Sequence, residues 1–285
     1  MLGRPPAPAE DVRDTTPTPP SPATPDLPDA SSRGAESHLS RSDASGQERR
    51  PARANRDSPD VAALFDEIAP VYDRLSSVLS LWRDGRWRSA AVEATGVRAG
   101  DATIDVAAGT GKLAAALADR VGPFGRVVAV DLSPAMVERG RHATRDIVQL
   151  EFVVGDAMAL DFDDARFDAA TIGFALRVMP DPAAVLAELR RVVRPGGRVV
   201  CLEPTTPRPR WWGRIYDAGV HRLAPVAGTA AGRRGAYRRM AASVSNVGDA
   251  RALVALMGGV GLVDIRHRGL WLGGVSLCVG TVPAG

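Results

Sequence analysis

Aromatic residues make up 5% of the 285-residue sequence, and the first 58 residues contain none. Ten of the 22 prolines fall in that opening stretch, among Ser, Asp and Arg ("TTPTPPSPATPDLPDASS"). So little apolar surface does not offset the entropy lost on ordering, which predicts a disordered tail over residues 1–58. The tail lacks the continuous apolar run of a secretory signal, and its many acids argue against a transit peptide. Long apolar runs are absent elsewhere too. No stretch reaches the roughly 18 residues of a spanning helix, so a cytoplasmic protein, soluble or peripheral at a membrane, is expected. Cysteine is scarce: Cys201 and Cys278 lie in apolar strand-like runs, which predicts buried free thiols and gives no sign of a disulfide framework or a zinc site. No metal is expected. A net charge of +3 is too weak to imply nucleic acid as a partner.

What is present is a folded domain from residue 59 to 285, with 45% apolar content over the whole chain. "SPDVAALFDEIAPVYDRL" opens it, with Ser58 as N-cap, Pro59 at the first helical position and Val61, Leu64, Phe65 and Ile68 at helical spacing. Residues 59–95 are expected to form an N-terminal helical lid. Strand-like and helix-like segments then alternate. "ATIDVA" runs into a glycine turn and the helix "LAAALADRV"; "RVVAVDL" precedes "SPAMVERGRHA", capped by Ser133; "LEFVVGDA", "FDAATIGFA" and "GRVVCLEP" read as further strands. "DPAAVLAELRRVV" is a helix capped by Asp181 and stopped by "RPGG". This order predicts an α/β fold with a mostly parallel sheet covered on both faces, closed by the antiparallel hairpin "LVDIRHR"/"GGVSLCVGTV".

The turn "DVAAGTGK", Asp105 to Lys112, decides the ligand class. A phosphate loop needs a glycine at Val106 and a Ser or Thr at Leu113, and fails on both. A dinucleotide site is left open by Gly109, Gly111 and Ala114, with Asp131 placed to clamp ribose hydroxyls. Against it stands Asp105, read here as an acid of the loop region that would repel a pyrophosphate yet suits a ligand with a positive amino-acid end. S-adenosylmethionine has such an end and no phosphate. Asp156, in the "GDA" that closes the third strand, falls at the carboxyl edge of the sheet, where it can accept from the exocyclic amine of adenine.

"DVAAGTG", "VDLS", "GDA" and the closing hairpin resemble the class I S-adenosylmethionine-dependent methyltransferases, over residues 60 to 280. "YDRLSSVLSLWRDGRW" and "RVVRPGGRVVCLEPT", with "IYD", "GAYRRM" and "GGVSLCVG", narrow the resemblance to the ubiquinone/menaquinone biosynthesis C-methyltransferases. The resemblance implies a Rossmann-like, seven-stranded fold and a helical substrate lid over residues 205–245. It also implies S-adenosyl-L-methionine as cofactor, a prenylated quinol such as demethylmenaquinol as acceptor, and a homodimer. Carried onto this chain, the cofactor residues are Asp105, Ala107, Gly109, Thr110, Gly111, Asp131, Leu132, Met136, Asp156 and Ala157. The chain departs from the family at Ser76, Asp84, Lys112 and Val178, where Asn, His, an acid and the Asn of "R-N-V" are usual, and at "YRRM".

Methyl transfer to carbon needs an electron-rich ring, and therefore a group that favours the ionised hydroxyl of the quinol. Tyr72, in the lid, and Arg177, just past the fourth strand, are the candidates for hydrogen-bonding the ring oxygen and for stabilising the phenolate, directly or through a water. Each has a structural rival: a core aromatic for Tyr72 and a surface salt-bridge partner for Arg177. Asp131 would merely cap a helix, and Asp156 a turn. The stretch Arg208–Arg239 carries eight arginines and one acid with Trp211, Trp212, Tyr216 and Tyr237 between them, which fits either peripheral membrane contact or the basic back of a substrate lid. Alternative readings are a methyltransferase of another small aromatic or specialised metabolite, a nicotinamide-dependent oxidoreductase, and a non-catalytic S-adenosylmethionine-binding protein.

Overall fold

The computed structural model describes residues 83–205 and 250–284, together with Ala63, Asp66 and Ala69, which are helical. The expected tail, Ser58, Tyr72, Ser76 and the stretch Arg208–Arg239 lie outside the described residues. The first complete helix, α1 (Asp84–Thr95), ends on Gly96 in the left-handed conformation. Then follow β1 (Ala102–Val106), α2 (Lys112–Val121), β2 (Arg126–Asp131), α3 (Pro134–Ala143), β3 (Leu150–Val154) and β4 (Phe167–Gly173). A 3₁₀ turn (Leu176–Val178) leads to α4 (Pro182–Val192) and β5 (Val193–Pro204), and α5 (Ala250–Gly259), β6 (Val263–Leu270) and β7 (Val275–Thr281) complete the order.

The seven strands form one sheet in the order β3-β2-β1-β4-β5-β7-β6. The first five are parallel, and β7 pairs antiparallel with both β5 and β6, as the terminal hairpin predicts. Two of the three caps read from sequence, Ser133 and Asp181, are formed; the third, Ser58, lies outside the described residues. The Ser133 hydroxyl accepts from Met136 N at 3.0 Å, and Asp181 accepts from Ala183 N and Ala184 N, each at 3.0 Å. "RPGG" stops the helix as expected, α4 ending at Val192. Strand β5 begins at Val193 and runs through it, with a register shift opposite Phe167–Ala169. Gly197 makes this passage possible, since a Cβ there would lie 2.5 Å from the Asp168 carbonyl oxygen.

Both sheet faces are covered, which explains why β1, β2, β4 and β5 read as nearly continuous apolar runs. On one face Ile104, Val106, Val128 and Val130 pack against Leu186 and Leu189 of α4 and Leu253 and Met257 of α5. On the other, Val127, Ala129 and Ala169 pack against Leu113 and Leu117 of α2 and Trp87 and Ala91 of α1. Cys201 and Cys278 are buried free thiols, opposite one another in the β5–β7 register. None of the described helices is long and apolar enough to cross a membrane. Chain order reverses between β1 and β4, and the crevice outside the carboxyl ends of these two strands is where open α/β sheets bind ligands.

Candidate active site

The glycine turn is built by backbone geometry that few residues adopt. After β1, Ala107 takes φ 53°, Gly109 φ 57° and Gly111 φ 80°. Gly111 donates to the Ala108 carbonyl at 2.9 Å, and Ala108 donates to the Val130 carbonyl at 3.0 Å, so the turn leans on the end of β2. Asp131, the last residue of β2, ties it down. Its Oδ2 accepts from Gly109 N at 2.7 Å and its Oδ1 from Ser133 N at 2.9 Å. The carboxylate thus clamps the turn and supports the start of α3, and burial raises its pKa.

Two cavities open at this edge. The larger has about 720 Å³ of empty space, part of it open to solvent. Ala107, Gly109, Asp131, Leu132, Met136, Asp156 and Ala157 line one side; Gly173, Phe174, Ala175, Val178 and Met179 line the other. The smaller, about 460 Å³, is lined by Arg88, Asp105, Thr110, Lys112, Leu113 and Leu202. Ala107, Gly109, Gly173 and Phe174 line both, so one elongated ligand can run from one to the other. Nine of the ten residues expected at the cofactor therefore line these cavities. Gly111 lines neither and acts on packing, as argued below.

Asp105 lies within strand β1 rather than in the loop, and is 1% exposed. One carboxyl oxygen accepts from the Thr171 hydroxyl of β4 at 2.6 Å, while the other has no hydrogen-bond partner among the described residues. Loss of hydration pushes its pKa up to about 7, against the Thr171 bond and the Arg88 charge. A carboxyl raised in the folded state holds a proton that the unfolded chain has released, so its contribution to stability falls as pH rises from about 4 to about 7. Asp105→Asn lacks this penalty. Its stability relative to the parent protein should grow over that interval by on the order of 4 kcal/mol, measured by denaturant unfolding at each pH. A constant difference would show that Asp105 does not titrate there.

Arg177 is not on the surface: its side chain is 8% exposed, within the 3₁₀ turn. It donates to the Phe174 carbonyl oxygen and lies 3.8 Å from Glu203, a fully buried acid at the end of β5 that sequence reasoning missed. Glu203 Oε1 also accepts from Ala175 N at 2.8 Å and Leu176 N at 2.9 Å, so the acid fixes both the turn and the arginine. Burial pushes its pKa up to about 7, with Arg177 pulling the other way. Arg177 lines neither cavity, but its neighbours Phe174, Ala175 and Val178 do. Asp84 pairs with Arg88 at 2.6 Å, which brings that arginine to the smaller cavity. His267 sits on β6 within 3.0 Å of the Ser276 hydroxyl, away from both cavities.

Chemically, the large cavity offers two acids and apolar walls for a nucleoside, and the small one offers both signs of charge for an amino-acid end. Asp131 and Asp105 oppose a diphosphate. S-adenosylmethionine fits these requirements without any phosphate site.

Comparison with known proteins agrees. Residues 52–281 match the ubiE/COQ5 methyltransferase family. A demethylmenaquinone methyltransferase of Clavibacter sepedonicus is 39% identical over 226 residues, covering 79% of this chain and 91% of that protein. One of Staphylococcus aureus strain JH9 is 35% identical over 225 residues, covering 79% and 92%. Among solved structures, a putative methyltransferase of Haloferax volcanii, in complex with its activator, superposes with a TM-score of 0.55 at 22% identity, covering 77% of this chain and 98% of that one. A possible histamine N-methyltransferase of Thermotoga maritima gives 0.55 at 17%, covering 78% and 99%. At these identities the structures establish the Rossmann-like methyltransferase fold.

Proposed function

The chain belongs to the ubiE/COQ5 methyltransferase family, and we propose that its acceptor is a prenylated quinol such as demethylmenaquinol, methylated on ring carbon. The family makes it an S-adenosylmethionine-dependent C-methyltransferase of quinone biosynthesis. The observation that carries the acceptor reading is the shared wall of the two cavities. If the nucleoside lies in the larger cavity and the amino-acid end in the smaller, the sulfonium falls at Ala107, Gly109, Gly173 and Phe174. The acceptor must then approach past Phe174, Val178 and Met179, an apolar rim suited to a flat aromatic ring.

The bound cofactor supplies an electrophilic methyl group. Asp131 accepts from the ribose hydroxyls while holding Gly109, and Asp156 accepts from the adenine amine; its Oδ1 already receives Met158 N at 2.9 Å. Leu132, Met136 and Ala157 pack the nucleoside. Thr110 and Gly111 shape the turn beneath the sulfonium. Such orientation of the two reactants is worth about 7–11 kcal/mol where geometry is good. As the ring carbon bonds the methyl group, the sulfur–carbon bond breaks and the ring proton leaves to solvent. Arg177, held by Glu203 just behind the rim, provides positive charge that favours the ionised quinol hydroxyl, through a water given its burial. Tyr72 hydrogen-bonds the ring oxygen from the lid. Arg208–Arg239 rests at the membrane surface where a polyprenyl quinol resides.

The test combines purified protein, S-adenosylmethionine with a labelled methyl group and chemically reduced demethylmenaquinone in detergent, with the product read by mass spectrometry. Labelled menaquinone is expected, and Arg177→Ala should lower turnover at least tenfold with cofactor affinity unchanged. Cofactor binding without product would reject this acceptor, and an unchanged Arg177→Ala rate would remove Arg177 from the mechanism.

A further inference from the structure

Among the described residues six non-glycine positions take a positive φ, and two of them, Ala107 at 53° and Phe174 at 60°, line both cavities. For Phe174 the angle is costly. Glycine enters this region freely, whereas a bulky side chain there is an outlier that persists only where the surroundings hold it. Here they hold every neighbouring backbone group. The Phe174 N–H donates to the Leu202 carbonyl at 2.7 Å, and the Phe174 carbonyl accepts from Arg177. The next two N–H groups, of Ala175 and Leu176, both donate to Glu203 Oε1. Two residues of β5, Leu202 and Glu203, thus keep Phe174 in a conformation that its side chain disfavours.

The ring is held as well. Trp87 of α1 lies beside it, with ring centroids 6.2 Å apart and planes tilted by 47°, and Trp87 packs in turn on Trp271 at 5.8 Å. Trp87 belongs to the core, whereas Phe174 is only partly buried and borders both cavities. A strained backbone and a braced aromatic side chain therefore meet at the wall that the two cavities share. An aliphatic side chain would give that wall the same apolar character. What an aromatic ring adds is a face of negative charge, which attracts cations that have no N–H or O–H to donate. A sulfonium is such a cation.

We propose that the Phe174 ring is the group of this site that recognises the sulfonium charge of S-adenosylmethionine, an attraction that the neutral thioether S-adenosylhomocysteine does not receive. The inference rests on the placement of the sulfonium at the shared wall and adds to it the residue that reads the charge. Methyl transfer leaves the electron pair of the broken sulfur–carbon bond on sulfur, so the attraction is made with the cofactor and ends with the reaction. The left-handed backbone serves this contact, because at an ordinary negative φ the side chain would leave the main chain in another direction.

The test separates the charge of the ring from its shape. Replacing Phe174 in the full chain by 3,4,5-trifluorophenylalanine leaves the ring nearly isosteric and withdraws electron density from its face. Calorimetric titration without acceptor should then show S-adenosylmethionine weakened by about threefold or more and S-adenosylhomocysteine by less than about twofold. Phe174→Leu, which keeps an apolar wall and removes the ring, should lose the same selective attraction. Equal weakening of both cofactor forms would make the ring an apolar wall and overturn the proposal. Unchanged affinity for both would overturn it too, since the ring would then not meet the sulfonium. A parent protein that binds neither form would instead overturn the cofactor assignment itself.

Discussion

Replacing Asp131 by alanine should weaken S-adenosylhomocysteine binding about a hundredfold, read by calorimetric titration. Both carboxylate oxygens already serve the backbone, one on Gly109 N and one on Ser133 N, and each keeps a further lone pair for a ribose hydroxyl. Losing two charge-assisted bonds to the ligand, at roughly 1.4 kcal/mol each after competition with water, gives that factor. The backbone bonds are lost as well, which should lower the melting temperature. The two effects separate with a 2′-deoxyribose analogue. It should bind the parent protein more weakly than the ribose form, and bind Asp131→Ala with nearly the same affinity as the ribose form. A variant that binds within threefold of the parent would leave Asp131 as no more than a cap for the following helix.

Features fixed by neighbours in the chain are legible in the sequence. The Ser133 and Asp181 caps, the glycine turn and the β6–β7 hairpin all depend on residues a few positions apart, and each is found where the sequence puts it. Asp105 was harder to place because what holds it is remote. Strand β1 is buried on both faces, so an acid inside it looks like a strand end until the Thr171 hydroxyl, 66 residues on, is seen to donate to it. The same holds for Arg177. Its burial depends on Glu203, and the only local hint of that acid is a lone carboxylate at the end of the apolar run "VVCLEP". "RPGG" ends the helix as read, but the strand starts at Val193, ahead of the expected "GRVVCLEP". The proline and glycines fall in the irregularity between the ladder pairs Val193–Phe167 and Arg198–Ala169, and pairing with both β4 and β7 holds the strand from Arg198 onward. Nor does the sequence say that Arg88 reaches the smaller cavity, since its place follows from how α1 packs on the sheet.

Gly111→Ala should cost about 3 kcal/mol or more, a large share of the roughly 5–15 kcal/mol that holds an ordinary domain together. Two penalties add. At φ 80° a side chain is strained by about 1–2 kcal/mol. A Cβ would also lie 2.4 Å from Cζ of Phe152, a ring that is 4% exposed. The same end of that ring also lies against Gly140, where a Cβ would meet Cε1 at 2.2 Å, so the ring is packed closely on both glycines. Phe152 of β3 therefore packs against the start of α2 and the last turn of α3 where two side chains are absent, which makes Gly111 a packing residue although it lines neither cavity. At about 2–4 °C per kcal/mol for a domain of this size, the melting temperature should fall by roughly 6–12 °C. Phe152→Leu provides the control. With the ring gone, adding Gly111→Ala should cost less than it does alone, leaving mainly the backbone strain. Additivity of the two substitutions within about 0.5 kcal/mol would show that the contact is not the cause. Cofactor affinity should stay low in the double variant even where stability recovers. Gly109, two residues before Gly111, lines both cavities, and its position follows the dihedral angles of the turn rather than the room beside Phe152.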